Sequence, residues 1–189
     1  MNFEVLENFE WYNEPENVRF DGNAMIVYAK YGTDFCQSLH RGYKKDNGHF
    51  FYGRKNGDLS LTLNWKVENL PQFAQCGIML RIDERNWFKA SIERETSSSF
   101  VVSSSLSLQG HSDWCMSQID KFDGNIWFKL VKVGDEYEVF YSVDGISFIK
   151  FRTFYLSSFE DVKVGACISS LEHEDFSAEL LDIFIDNPY

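Results

Sequence analysis

A chain of 189 residues that is 44% hydrophobic, with 18 Phe, 9 Tyr and 5 Trp against 3 Pro, can bury one sizeable core and lacks the polar bias of a disordered segment. Its formal net charge of −11 argues against nucleic acid and anionic membranes as partners, since both require clustered Lys and Arg, and favours neutral or cationic ligands. Residues 1–7 lack a basic n-region and no stretch reaches about 18 apolar residues, so neither an export signal nor a membrane span is expected, and a cytoplasmic location is.

Alternation of apolar and polar residues, the pattern of a strand with one buried face, predicts strands at 24–30, 49–53, 58–68, 76–83, 86–95 and 100–107. It continues through 112–119, 126–133, 136–143, 146–152, 162–169 and 176–186. The clearest case puts Leu59, Leu61, Leu63, Trp65 and Val67 on one face and Ser60, Thr62, Asn64, Lys66 and Glu68 on the other. No helical period competes, and no repeat or linker divides the chain. The expectation is one all-β domain over 1–189 built from two stacked antiparallel sheets.

Two hairpins can be registered. Ile82 paired with Asn86 across Asp83-Glu84-Arg85 sets Leu80 beside Phe88, Ile78 beside Ala90 and Cys76 beside Ile92 on the core side. The other face then pairs Arg81 with Trp87, Met79 with Lys89, Gly77 with Ser91 and Gln75 with Glu93, leaving a shallow gap over Gly77 and Ser91 as a candidate ligand position. Asp144-Gly145 reads as a two-residue turn that places Tyr141 opposite Phe148 and Tyr137 opposite Arg152.

The segment from Trp87 to Glu95 carries the most chemistry: Phe88, Ala90 and Ile92 face one way, and Trp87, Lys89, Ser91, Glu93 and Glu95 face the other. An indole to stack on a ring, with an amine and carboxylates to bond hydroxyls, is what a sugar-binding or sugar-cleaving surface needs. Glu93 and Glu95 stand about 6.7 Å apart along the strand, inside the roughly 5–9.5 Å of glycosidase carboxylate pairs. Surface glutamates are the preferred reading of that pair. Lys89 and Glu93 are about 13 Å apart, too far for a direct ion pair, so each should find a partner across strands, and an enclosed face would require a closed polar network.

Asp34, His49 and Asp113 each lie beside an aromatic near a strand end and are candidate polar neighbours of a site, with the turn-tying Asp and the satisfied core His as the preferred structural alternative. The other histidines, His40, His111 and His173, lack metal-ligand spacing, and no motif calls for a cofactor. Cys36, Cys76, Cys115 and Cys167 are widely spaced within strand-like segments and are expected to be buried free thiols. There is no Gly-x-Ser-x-Gly elbow and no phosphate-cradling glycine loop.

Seven short segments carry a resemblance when taken in order: Trp11-Tyr12-Asn13-Glu14-Pro15, Thr33-Asp34-Phe35, Asp46-Asn47-Gly48-His49, Cys76-Gly77-Ile78-Met79-Leu80-Arg81, Trp87-Phe88-Lys89-Ala90-Ser91-Ile92-Glu93, Ser112-Asp113-Trp114 and Ser142-Val143-Asp144-Gly145. Together they resemble domain-of-unknown-function family 1349, the regulation-of-enolase-like domains of the concanavalin A-like lectin/glucanase superfamily. The resemblance implies a jelly-roll sandwich with any ligand site on its concave sheet, but no defined activity. The chain departs from the family's pattern at Cys36, where an aromatic is usual, and at Ala74, where an acidic residue often stands, and it lacks the Glu-x-Asp-x-x-Glu strand of the superfamily's glucanases. The expected function is a non-catalytic module binding a carbohydrate or polyol through Arg81, Trp87, Lys89, Glu93 and Trp114. A protein-interaction module of regulatory role and a glycoside hydrolase using Glu93 with a second carboxylate are the alternatives.

Overall fold

The structure, a computed structural model, describes residues 6–39, 41–96, 99–158, 161–172 and 176–188. The described strands are β1 (Glu10–Tyr12), β2 (Val18–Asp21), β3 (Ala24–Tyr28), β4 (Phe35–Leu39), β5 (Tyr43–Asp46), β6 (His49–Lys55), β7 (Leu59–Lys66), β8 (Ala74–Arg81) and β9 (Trp87–Arg94). They continue with β10 (Phe100–Leu108), β11 (His111–Ser112), β12 (Cys115–Ile119), β13 (Asn125–Val133), β14 (Glu136–Ser142), β15 (Ile149–Tyr155), β16 (Val162–Ser170) and β17 (Ser177–Asp186). The chain is all-β. Among the described residues, no helix is long and apolar enough to cross a membrane.

Two large antiparallel sheets stack as a concanavalin A-like sandwich. The first runs β1-β6-β16-β8-β9-β10-β11, with β12 also paired to β10; the second runs β15-β14-β13-β7-β17-β3-β2. The alternation of β7 does what its pattern demands: Leu59, Leu61, Leu63 and Trp65 are at most 2% exposed and join Ile126, Phe128 and Leu130 of β13 in a core closed from the other side by Ile78, Leu80, Phe88, Ala90 and Ile92. The register of β8 with β9 follows the hydrophobic pattern, with Leu80 opposite Phe88, Gly77 opposite Ser91 and Gln75 opposite Glu93. Gly77 is required by close approach: a Cβ there would stand 1.9 Å from the Ala90 carbonyl oxygen, and its own carbonyl accepts the Trp65 indole N–H at 3.0 Å.

Three expectations are corrected, and four short strands are added. Asp144-Gly145 is not a two-residue turn. Residues 143–148 form a longer loop in which the Asp144 carboxylate accepts the backbone N–H groups of Ile146 and Ser147 at 2.8 and 2.7 Å, and a bulge between Val139 and Phe140 puts Ile149 opposite Tyr141, Arg152 opposite Val139 and Phe154 opposite Tyr137. The strand expected at 112–119 is interrupted at Asp113 and Trp114, with β11 and β12 flanking the break. Cys115 is exposed, because β12 pairs only with β10, whereas Cys36, Cys76 and Cys167 are buried; all four are free thiols. The short strands β1, β2, β4 and β5 carry no readable alternation, and of these β4 and β5 matter most. They form a separate two-stranded sheet that lies over the face of the first sheet turned away from the core.

Candidate functional site

The β4–β5 hairpin is fastened at both feet by buried ion pairs. At one foot Asp34, just before β4, accepts the Lys89 ammonium at 3.0 Å. At the other, Asp46 takes a two-pronged bond from the Arg81 guanidinium at 2.6 and 2.7 Å and a third from the Tyr12 hydroxyl at 2.8 Å, while Tyr12 also lies 4.3 Å beneath the guanidinium. Between them Phe35 enters a small apolar cluster with Phe50, Tyr52, Met79, Trp87 and Cys167.

This cover relocates the site. Arg81 and Trp87, expected to meet ligand, are 2% and 0% exposed and serve to seat the hairpin; the Trp87 indole N–H has no hydrogen-bond partner there. The expected gap over Gly77 and Ser91 is filled, with Ser91 buried and bonded to Ser103 at 3.2 Å. Sequence periodicity assigned these side chains to the correct face without revealing what covers that face.

Beside the filled gap a cavity of about 500 Å³ remains open. Its polar floor is Gln75, Lys89, Glu93 and Ser105, contributed by β8, β9 and β10, with Asp34 at the hairpin foot. Its walls are apolar: Phe35, Cys36, Leu39 and Tyr43 from the hairpin, Phe73 and Leu171 on the opposite side, and Trp114, 43% exposed, at the mouth. Phe73 adopts φ of 60°, the left-handed region that a bulky side chain rarely occupies, which positions it against the cavity.

The floor is one continuous polar chain. Lys89 donates to Asp34 at 3.0 Å and to Gln75 Oε1 at 2.7 Å; Ser91 reaches Gln75 Oε1 at 3.5 Å and Ser103 at 3.2 Å, and Ser103 donates to Glu93 Oε1. Lys89 and Glu93 thus pair across strands, as their spacing along β9 requires. Burial penalises the Lys89 ammonium, but the Asp34 and Glu93 carboxylates outweigh it and hold its pKa above the ordinary lysine value. Glu93 moves the same way for the opposite reason: burial pushes its carboxyl above the usual glutamate value, against the Ser103 hydrogen bond and the Lys89 charge. Burial, with the Asp34 charge, also raises the Tyr43 phenol. Gln75 engages the network through Oε1 alone, which leaves its amide N–H groups without a partner among the described residues.

Of the eight residues singled out in the sequence, the structure gathers four around this cavity: Asp34, Lys89, Glu93 and Trp114. His49 is a core histidine. Its Nδ1 lies 2.6 Å from the Asn13 carbonyl oxygen, its Nε2 accepts the Lys30 N–H at 3.0 Å, and burial lowers its pKa. Asp113 ties the break between β11 and β12, accepting the Leu106 N–H at 2.8 Å and pairing with Arg152. Glu95 lies outside the cavity, so a second carboxylate beside Glu93 would be Asp34. Cys36 does line the cavity, so the departure from the family's pattern there changes the wall, whereas Ala74 is wholly buried in the main core. Gln75 was within reach of sequence reasoning through its register with Glu93; the walls were not. No group of three His, Cys, Asp or Glu side chains among the described residues could hold a metal ion.

The comparisons agree with this architecture. A relative from Saccharomyces cerevisiae (strain ATCC 204508 / S288c), Regulation of enolase protein 1, is 30% identical over 127 residues, which is 66% of this chain and 62% of that protein's length. A crystal structure described as a functionally unknown protein from Saccharomyces cerevisiae superposes with a TM-score of 0.90 at 22% identity, covering 97% of this chain and 98% of that one. The GH43 BlXynB protein from Bacillus licheniformis shares the fold over 96% of this chain and 37% of its own, with a TM-score of 0.76 at 12% identity. The CBM2 module of Lactobacillus casei BL23 phage J-1 evolved Dit does so over 95% and 89%, with a TM-score of 0.63 at 12% identity. The model of the family described as Protein of unknown function (DUF1349) matches residues 11–188, nearly the whole chain, and the chain belongs to that family.

Proposed function

We propose that the protein is a binding module for a small carbohydrate or polyol held in the cavity beneath the β4–β5 hairpin. The observation that carries this reading is the cavity's division into a polar floor, with the Gln75 amide and Glu93 carboxyl side by side, and an apolar wall bearing Phe35, Tyr43, Phe73 and Trp114. A neighbouring donor and acceptor match the vicinal hydroxyls of a sugar, and aromatic faces match its C–H face. The cavity volume falls within the roughly 300–1,000 Å³ of small-molecule sites. Support of a general kind comes from the fold shared with a GH43 protein and with a module described as CBM2.

Calorimetric titration of the protein with a panel of mono- and disaccharides and sugar alcohols tests the reading. At least one member should bind saturably, and Q75A, E93Q and W114A should each weaken it by about tenfold or more, the cost of losing a buried hydrogen bond or a stacking face. A panel without binding, or binding indifferent to all three changes, rejects the assignment. Turnover of an oligosaccharide that disappears in E93Q would instead identify a hydrolase using the carboxylates that share the cavity.

The 30% identity to a relative named for regulation of enolase favours a second reading, a protein-interaction module. That reading requires specific retention of a protein partner from cell extract, and its absence counts against it.

A further inference from the structure

The second face of β4 borders a different opening. The bulge in β4 divides its residues between two openings: Cys36 and Leu39 line the cavity above, whereas Gln37 and Ser38 line a separate groove of about 360 Å³ at the sheet end, together with Lys44 of β5 and residues 84–85 and 109–111. Gln37 is 1% exposed, yet its amide nitrogen has no hydrogen-bond partner among the described residues. A buried donor left unmade costs about 1–3 kcal/mol, which a ligand that accepted from it would recover.

The groove that Gln37 borders is rich in donors. Lys44, Arg85 and His111 converge on the groove from three different elements, with Glu84 the one carboxylate among its lining residues. The Lys44 and Arg85 side chains form no ion pair among the described residues. Two permanent cations against one carboxylate make the groove net positive on a chain whose formal charge is −11. The guanidinium is already oriented: one Arg85 nitrogen donates to the Gln109 carbonyl at 2.7 Å, and Gly110, at φ of 84°, lets the head pack where a Cβ would meet its Nε at 3.2 Å.

We propose that this groove binds a tetrahedral oxyanion, a phosphate group above all, with the Gln37 amide as the buried donor, Lys44 and Arg85 as its charged partners and His111 as a further ring N–H donor. Donors from β4, β5, β11 and the turn before β9 supply several independent contacts, as the four oxygens of a tetrahedral anion would use. The site is independent of the carbohydrate cavity, since no lining residue is shared.

The experiment is an amide-resolved NMR titration of the intact protein with sodium phosphate at constant ionic strength, following the Gln37 side-chain N–H₂ resonances, with sulfate and acetate in parallel. The proposal expects a saturable shift with phosphate and sulfate. It expects about tenfold weakening in R85A and in K44A, both exposed positions that leave the core untouched, and about two- to fivefold tightening in E84Q. E93Q, in the other cavity, should change nothing. A titration with O-phosphoserine then tells a phosphomonoester from free phosphate, either being consistent with the site. The absence of a saturable response, acetate matching phosphate, or affinity unchanged in both R85A and K44A would overturn it.

Discussion

Replacing Lys89 with Met keeps the methylene stem against β9 and removes only the ammonium. Lys89 is 5% exposed, and its ammonium is the partner of Asp34, whose side chain is 13% exposed, and of Gln75 Oε1. Deleting one member of such a pair strands the other charge away from water and costs about 3–5 kcal/mol. For a chain of this length that is a fall in melting temperature of about 6–20 °C, at roughly 2–4 °C per kcal/mol. The sign of the pH dependence follows from the groups left behind. Burial already raises the Glu93 carboxyl above the usual glutamate value and the Lys89 charge opposes that rise, so removing the ammonium lifts it further, and the share of the penalty that comes from ionised Glu93 grows with rising pH and shrinks in acid. Thermal and urea unfolding of the native protein, K89M, D34N and K89M/D34N at pH 7 measure it. The double variant should recover most of the loss, because neither charge is then orphaned. A neutral-pH loss below about 1 kcal/mol in K89M, or strict additivity in the cycle, would mean that the hairpin foot is not buried as described and would refute the reasoning.

Glu93→Gln should raise the melting temperature at pH 7. Burial holds the folded-state pKa of Glu93 above its unfolded value, so its ionised form weakens the fold increasingly as pH rises from about 4.3 through the folded value, and the advantage of E93Q should close as melts are taken down toward pH 4. Gly77→Ala drives a methyl group into the Ala90 carbonyl oxygen, a backbone atom that no side-chain rotation can move, and should cost about 3 kcal/mol or more by urea unfolding. A loss under about 1 kcal/mol would show that β8 and β9 sit further apart. Maleimide labelling of the folded protein, read by mass spectrometry, should modify Cys115 first. Burial pushes the Cys167 thiol up to about 12 and Cys76 well above the ordinary value, so both should react only on unfolding, and early labelling of either would contradict the placement of β16 and β8.

The sandwich was legible because each long strand turns an apolar face to the shared core, and a two-residue period cannot slip without moving that face out of it. That is why the pairing of Gln75 with Glu93 and of Arg81 with Trp87 could be read from residue order alone. The site was only half legible. Alternation says which way Trp87 and Arg81 point, but their burial depends on Phe35 and Asp46, which belong to strands of five and four residues. One of those, Phe35-Cys36-Gln37-Ser38-Leu39, is bulged and takes Ser38 to φ of 50°, so it shows no period to recognise. The Asp144 loop failed for a related reason: Asp-Gly signals a tight turn only when the carboxylate does not instead gather the next backbone N–H groups.

Because β4 and β5 form a ladder only with each other, reaching the first sheet through side chains and through the Gln37 N–H on Ser112 Oγ, the segment can be rewritten without breaking a ladder of the sandwich. Its described ties to the scaffold include the carboxylates Asp34 and Asp46, the plug Phe35, the Asn13 amide on the Asp46 carbonyl and the Gln37 N–H on Ser112. On the proposed reading, the hairpin wall of the cavity (Cys36, Leu39 and Tyr43) is therefore separable from the fold while the polar floor of Gln75, Lys89 and Glu93 stays with the sandwich, an arrangement under which kindred domains could vary one side of the cavity by exchanging about ten residues. Grafting residues 36–45 from a relative onto this framework should transfer selectivity while leaving the unfolding midpoint nearly where it was.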